Sequence, residues 1–599
     1  MLDVRIYRTG LAVAAMALVV LAFSLANQQG ARQPSLAPDA FNAANVSASM
    51  TSIAARDPSR RPGSFGDDAL AAQVSRTLTG DRFSVRTDTF RGRTVDGART
   101  LENVIATRLG TTSGAIVVTA PRDLGGGTGA DGLAGLSGTA TLLELGRDLG
   151  GETLNRTIVL ASTSASQGTA GALRLASTLA GPIDAVIVLG DLASAHPHQP
   201  IVVPWSNRAR IAPPVLRDTL GAALQAQSSV TSGSTGLPGQ FAELAFPFTI
   251  GEQAPFGDRG VPAVTLSVSG DAGPRDDAQL AGTPQLTGLG RAVLSTVSAL
   301  DGAALPRSSA YLELSGKLIP RWAIALFVLA LLLPVALTSV DALARARRRG
   351  HVVGRSLAFV LAAAIPFALA LAVVLAARLL GVISAAPPGP VGPGAIPLDS
   401  AGIAVLAVAA LVAIGSAAAV IRLARSRLAA AAARAPSRRP RGAQRSSDGL
   451  AVALIVVLWL ITFAIWLRNP FAAALLIPAV HLWLWATDSE LRIALPVRLG
   501  MIALGLAPIA LVVVYYANAD GYGPWQLIWS AALLVAGHVV GLTSLLEWCV
   551  VLGCLVTAAS LVLRAAREPS DMPATVTVRG PITYAGPGSL GGTESALRR

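Results

Sequence analysis

The sequence predicts two fold classes in one chain. An α/β domain, with a mixed central sheet and helices on both faces, precedes an all-α polytopic membrane domain. Three observations carry this. Between about 30 and 315, short apolar runs alternate with helical patterns inside an ordinary polar background. From 319 to 563 the chain is a series of long apolar runs. The bulk composition, 52% hydrophobic against 14% charged with mean hydropathy +0.55, is too apolar for a soluble protein. At 599 residues the chain also exceeds what one core organises.

Arg5 and Arg8 precede an apolar run from Gly10 to Ala26. This segment, 1–29, is expected to be a signal anchor; the alternative is a cleavable signal, because Ser24-Leu25-Ala26 offers a small-x-small site. In the next domain, 30–315, Val104-Ile105-Ala106, Ile116-Val117-Val118, Ile158-Val159-Leu160 and Ala185–Leu189 read as strands, and 137–149 and 168–180 as helices. That alternation implies a sheet covered by helices.

The membrane domain, 316–565, is expected to hold seven or eight spans. They fall at 319–340, 357–381, 401–423, 449–467, 471–487, 499–517 and 525–563. The last is too long for one helix, and Gly541 and Ser544 suggest a break that leaves two spans, or one span and a re-entrant piece. Loops at 341–356 and 422–447 are rich in arginine (Arg345, Arg347, Arg348, Arg349; Arg438, Arg439, Arg441), whereas 384–400 carries almost no charge. The positive-inside rule then gives a multi-pass protein of the cell membrane with 30–315 outside the cytoplasm. Nine spans, counting the anchor, would put the tail, 566–599, outside, yet Arg564 and Arg567 argue for inside.

The net charge of +13 does not signal nucleic acid. Basic residues gather between apolar runs, all but Lys317 are arginine, and no basic-aromatic module is present. Cys549 and Cys554 both lie in the last apolar stretch, so the exported domain has no disulfide. Within the membrane block His481, His538 and Glu547 are ionisable groups near hydrophobic depth, and such groups are functional candidates by default. His538 and Glu547 could share a site only if the helix breaks between them. Otherwise Glu547 belongs to an interfacial turn beside Trp548.

The order of motifs in the first domain resembles the family-28 zinc metallopeptidases, a group dominated by membrane-bound and secreted aminopeptidases. The resemblance runs over about 55–300: Arg61-Pro62-Gly63-Ser64, Glu102-Asn103-Val104-Ile105-Ala106, Gly129-Ala130-Asp131, Leu136-Ser137-Gly138-Thr139-Ala140, Gln167-Gly168, Asp191, and Gly260-Val261-Pro262-Ala263. It implies a zinc-aminopeptidase-like fold. It also implies a degenerate metal site. The family's His-x-Asp falls on Pro121, Arg122 and Asp123. Its bridging aspartate falls on Ala134, and its paired glutamates fall on Ala165 and Ser166. The last histidine should precede Asp276-Asp277, and 199–350 contains none.

Two zinc ions need several converging donors and the hydrolytic water needs a base. The expectation is therefore a peptidase-like pseudoenzyme with no metal and no cofactor. Asp123, Asp191 and Glu252 would line its vestigial cleft. The alternative is an active zinc aminopeptidase with displaced ligands drawn from Asp123, Asp131, Glu144, Asp191 and His196. A third reading makes the spans the working part, as a transporter or lipid-handling protein. His196 and His198 read as a solvated loop, and the glycines at 125–127 as a flexible connection rather than an anion cradle.

An anchor, a degenerate peptidase-like domain and many spans are also similar in layout to the attachment subunit of the glycosylphosphatidylinositol transamidase. That likeness implies a peptide or lipid-linked ligand, or a membrane-protein partner, beside the lipid bilayer.

Overall fold

The computed structural model describes residues 4–567, apart from 36–37, 124–128, 229, 275–277, 303, 349–352, 384–385, 434–440, 489–490 and 492. The glycines at 125–127, Asp276-Asp277, Arg349, Arg438, Arg439 and the tail from 568 thus lie outside the described residues.

The chain opens with helix α1 (Val4–Phe23) and a short strand β1 (Ala26–Asn27). The α/β domain follows as α2 (Ala43–Arg56), α3 (Phe65–Gly80), β2 (Ser84–Thr94), β3 (Gly97–Arg108), β4 (Ala115–Pro121), α4 (Ala130–Leu149), β5 (Thr157–Thr163), α5 (Ala170–Thr178) and β6 (Ile183–Leu189). It continues with β7 (Val202–Val203), α6 (Pro214–Gln227), α7 (Leu237–Ala245), α8 (Ala254–Gly257), β8 (Ala263–Leu266) and α9 (Thr283–Leu300). Seven strands form one sheet in the order β2-β3-β5-β4-β6-β8-β7. β5, β4, β6 and β8 run parallel, and β2, β3 and β7 are antiparallel to their neighbours.

The expected apolar runs are the central strands, and their alternation explains why they read as continuous. Val104, Ile116, Val118, Ile158, Leu160, Ala185 and Ile187 face the helices α2, α3, α4, α6 and α9. Their neighbours Ile105, Val117, Val159, Ala161, Val186 and Val188 face α5 and α8. A strand buried on both faces has no polar side to display. The connections from β4 through α4 and from β5 through α5 leave on opposite faces, so a crevice opens at the carboxyl ends of these two strands.

Strands β9 (Tyr311–Leu314) and β10 (Lys317–Pro320) form a hairpin that β1 extends to a second, three-stranded sheet. The boundary expected at 315 therefore falls in the hairpin turn, where Ser315 and Gly316 take φ of 49° and 73°. Residues 319–320, expected to begin a span, are strand.

The helical region comprises α10 (Arg321–Arg348), α11 (Val353–Ala362), α12 (Ile365–Leu379), α13 (Ser400–Ala433), α14 (Arg441–Arg468), α15 (Pro470–Ala486), α16 (Leu495–Ala519), α17 (Pro524–Ala536) and α18 (Leu542–Arg567). Among the described residues seven segments are long and apolar enough to cross a membrane: α1, α10, α11 with α12, and the apolar lengths of α13, α14, α16 and α18. α15 and α17 are shorter apolar helices. The break between α11 and α12 precedes Pro366, which has no N–H to continue the ladder. Gly553 of α18 rests on the backbone of Ala363 and Ala364 there, where a Cβ would come within 2.7 Å of the Ala364 nitrogen.

The break expected in 525–563 occurs at 537–541. α17, at 13 residues, is about 20 Å long and too short for a hydrocarbon core of about 30 Å. It lies along the loop between α12 and α13. The Tyr522 hydroxyl donates to the Val391 carbonyl at 2.6 Å, Trp529 Nε1 donates to the Ile396 carbonyl at 3.1 Å, and Gly537 abuts the Pro387 carbonyl.

Candidate functional site

At the carboxyl end of β4, Pro121 closes the strand and Arg122 turns inward. Its guanidinium is fully buried, with Nε 2.6 Å from Oδ1 of Asp67, also fully buried. It donates further to the Ser162 carbonyl at 3.2 Å and the Glu102 carbonyl at 2.5 Å. The second Asp67 oxygen accepts from the Ser164 hydroxyl at 2.6 Å and the Gly63 amide at 2.9 Å. The Arg61–Ser64 turn thus survives as part of a buried ion-pair network.

After β5 the backbone makes a tight elbow in which Ala165, Gly168 and Thr169 take φ of 61°, 81° and 54°. Two non-glycine residues in the left-handed region mark a strained, over-determined loop. Both Asp123 carboxylate oxygens accept from the Ser166 amide, at 3.1 and 3.0 Å. Desolvation, with the Asp67 carboxylate nearby, pushes the Asp123 carboxyl up to about 7 despite that bond.

Glu252 reaches the same region from the chain before α8. One oxygen accepts from the Thr163 hydroxyl at 2.6 Å, and the other is buried with no partner. Desolvation, reinforced by Asp123, pushes Glu252 up to about 8, so it holds a proton at neutral pH. The Ser166 hydroxyl is likewise buried without a partner. Arg60, also buried, caps Asp57 and Gly132 carbonyls at 2.9 and 3.2 Å.

The expected cleft residues therefore divide. Asp123 and Glu252 come together at the elbow. Asp191 does not join them, because it accepts from the Ala193 and Ser194 amides (2.8 and 3.0 Å) and from the Ser194 and Ser269 hydroxyls. Ala134 is buried in α4, where its carbonyl accepts from Ser137; the Ser137 hydroxyl in turn accepts from the Leu192 amide at 2.7 Å. Gly138 allows this close packing, since a Cβ would lie 2.3 Å from the Leu189 carbonyl oxygen.

The displaced ligands have separate partners. Glu144 accepts from Asn45 at 2.9 Å and pairs with Arg147 at 3.0 Å, and His196 is exposed. Among the described residues no group of three or more His, Cys, Asp and Glu could hold a metal ion. Pro121, Ala134 and Ala165 supply no donor atom, Asp123 is engaged by an amide, and the Arg122 cation is fixed close by. The donor set does not fit the two-zinc centre that the resemblance implies.

One contact at the elbow was not legible in the sequence. The loop between α12 and α13 seats on it: the Gly392 amide donates to Gln167 Oε1 at 2.8 Å, and Pro387 covers Gly168 so closely that a Cβ would lie 2.3 Å from the proline Cβ. The described part of this loop, 386–399, is thus a cover for the crevice at Gln167 and Gly168.

Below it, α7 docks on the helical region. Glu243 accepts from the Tyr515 and Tyr516 hydroxyls, both at 3.1 Å, and Asn469 Nδ2 donates to the Leu244 carbonyl at 2.7 Å. Phe246 packs on Trp548 with ring centroids 5.0 Å apart. His198, expected in a solvated loop, instead contacts the Ala519 carbonyl at 3.1 Å through Nε2.

The three ionisable groups of the helical block lie apart. His481 bridges three helices, with Nδ1 2.6 Å from the Tyr7 hydroxyl and Nε2 3.0 Å from the Leu331 carbonyl. Glu547 lies in the second turn of α18, not in an interfacial turn, and pairs with Arg468. His538 is exposed just after α17. The break that could have joined His538 to Glu547 is present, but Glu547 is taken by Arg468.

No protein-family model matches the sequence, and no curated protein matches it. Among solved structures, the chain is similar to glutaminyl cyclase of Porphyromonas gingivalis, at 18% identity over 43% of this chain and 98% of that one, with a TM-score of 0.35. It is similar to a leucine aminopeptidase precursor from Bacteroides thetaiotaomicron at 12% identity, over 43% and 97% of the two chains, with a TM-score of 0.35. A zinc aminopeptidase from Bacillus subtilis aligns at 11% identity over 43% and 94%, with a TM-score of 0.35.

Proposed function

We propose that this chain is a multi-pass membrane protein whose peptidase-like domain is non-catalytic and serves as a ligand-binding or scaffolding module beside the bilayer. The observation that carries this is the buried Arg122–Asp67 ion pair, with Asp123 held on the Ser166 amide, at the place where metal donors would converge. The loop from the helical region seated on Gln167 and Gly168 adds to it, since it ties the elbow to the membrane block. A peptide or a lipid-linked molecule is the ligand class of this reading, with a second membrane protein as the client of the scaffold.

The topology in this reading follows from which helix ends meet the domain. The seven long segments and α15 make eight crossings, and α17 stays on the domain side. Eight crossings return the tail to the side of Arg5 and Arg8, in agreement with Arg564 and Arg567. α1 stays as an anchor in this reading. Gly10 sits against Pro334, and Ala14 and Ala17 pack on Ala330, a small-residue contact typical of helix pairs in lipid.

The test is to purify the full chain in mild detergent with zinc present, measure metal by mass spectrometry, and assay aminopeptidase substrates. The expected result is less than about a tenth of a zinc per chain and no chelator-sensitive hydrolysis. One or two zinc ions per chain with metal-dependent cleavage would overturn the reading.

A further inference from the structure

Three basic side chains from distant parts of the chain, two guanidinium cations and one imidazole, meet at one rim of the helical region. Arg93 stands at the end of β2, Arg378 in the last turn of α12, and His538 just beyond α17. Each flanks the same apolar cluster. Val95 from the β2–β3 turn packs on it, while Val374 and Ala377 of α12 and Ala532, Leu533 and Ala536 of α17 belong to it. Arg93 and His538 are exposed. Desolvation, with the guanidinium groups of Arg378 and Arg93 near, holds the His538 imidazole below its ordinary value.

The Arg93 and Arg378 guanidinium groups gathered in this way repel one another unless an anion lies between them. Among the described residues none of the three forms an ion pair, and Arg378 Nη1 is buried without a hydrogen-bond partner. Beside them Leu379 and Leu380 are 86% and 80% exposed, which is the setting of an acyl-chain boundary rather than of open water. The rim lies at the end of α12 that leads into the loop seated on the domain, a loop with almost no charge of its own. Arg93 and Arg378 are therefore not part of the arginine excess that orients spans.

We propose that Arg93, Arg378 and His538 form a binding site for the phosphate group of an anionic membrane lipid. The two guanidinium forks suit phosphate oxygens, and the exposed leucines accept the chains. The lipid would fasten the β2–β3 hairpin of the α/β domain to α12 and α17, independently of the crevice at Asp123.

The experiment uses the full chain in nanodiscs of phosphatidylcholine, of phosphatidylcholine with phosphatidylglycerol, and of phosphatidylcholine with inorganic phosphate in solution. Thermal unfolding is followed in each. Phosphatidylglycerol is expected to raise the wild-type midpoint by about 3–6 °C. Arg93→Gln, on an exposed hairpin, is expected to lose more than half of that gain while melting normally in phosphatidylcholine. Arg93→Lys should keep most of it, and Arg378→Gln with Arg93→Gln should lose it all. Equal gains in wild type and both Gln variants would overturn the site, as would no gain in wild type. An equal gain from inorganic phosphate would overturn the lipid assignment.

Discussion

Two glutamates on one short stretch of chain, Glu243 and Glu252, are both buried and both held well above the ordinary carboxyl range, yet their surroundings differ. Glu243 faces the helical region and takes two tyrosine hydroxyls, one from each of two consecutive residues of α16. Glu252 faces the crevice and takes one threonine hydroxyl, with its other oxygen unpaired. A satisfied buried acid fixes one packing arrangement, whereas an unpaired one carries a standing desolvation cost that a ligand can relieve. The seam is therefore built for permanence and the crevice is not. Predictions about these two places test that contrast.

The largest effect is expected at the floor of the crevice, where the Arg122–Asp67 pair is fully buried. Arg122→Met removes the cation and leaves Asp67 buried without its partner, which should cost about 3–5 kcal/mol. Thermal unfolding of the full chain in detergent reads this. Adding Asp67→Leu should recover part of the loss, because the orphaned charge goes with it. A single variant as stable as wild type would mean that water already reaches Arg122, and the contrast with an open metal site would fail.

The seam comes next. Glu243→Ala strands the Tyr515 hydroxyl and removes the Glu243 contact of Tyr516, whose single proton keeps the Phe246 carbonyl at 2.6 Å as an acceptor. The expected loss is about 2 kcal/mol. Glu243→Gln should cost less than about 1 kcal/mol, because burial, with Asp520 and Asp271 nearby, pushes the carboxyl well above its ordinary value and so favours the neutral form that glutamine mimics. Equal losses for Ala and Gln would show that Glu243 works as an anion and that the seam is an ionic contact.

Much of this was legible from residues alone, for identifiable reasons. The four central strands announced themselves because burial on both faces leaves only apolar types, as at Ile116-Val117-Val118. The helices long and apolar enough to cross a membrane were plain by length and hydropathy, and the break before α18 by Gly541. Pro121, Ala134, Ala165 and Ser166 could be singled out from the sequence because they are identities, not geometries. The β2–β3 hairpin was less visible, since Ser84–Thr94 is an edge strand with polar residues on both faces.

Partnerships across long separations were invisible. Nothing in the sequence ties Arg122 to Asp67, Glu243 to Tyr515 and Tyr516, or Pro387 to Gly168. Glu252 could be singled out, but its unpaired oxygen is a property of its neighbours. The sequence left 525–563 as two spans or as one span and a re-entrant piece, because hydropathy does not report that the two ends of α17 meet the same loop.

Near pH 5 the smallest change in stability, and across the pH range the sharpest test of the contrast, concerns Glu252. Its folded value of about 8 lies above the ordinary 4.5, so the folded state keeps a proton that the unfolded chain releases between those values. Stability from this group is fully present below pH 4.5 and is lost as pH rises through about 8. In that window one proton contributes a slope of about 1.4 kcal/mol per pH unit. Glu252→Gln has no proton to lose. Near pH 5 it should match wild type within about 1 kcal/mol, since glutamine replaces a neutral acid of the same shape. Towards pH 8 it should become the more stable of the two. Asp123 and Asp520, pushed up to about 7 and about 8, keep their own contributions, so the variant's curve flattens by one proton without becoming level. Unfolding curves that run parallel in wild type and variant across the window would mean that Glu252 is ionised in the fold. The crevice would then be wet, and the unpaired oxygen would be solvated rather than waiting for a ligand.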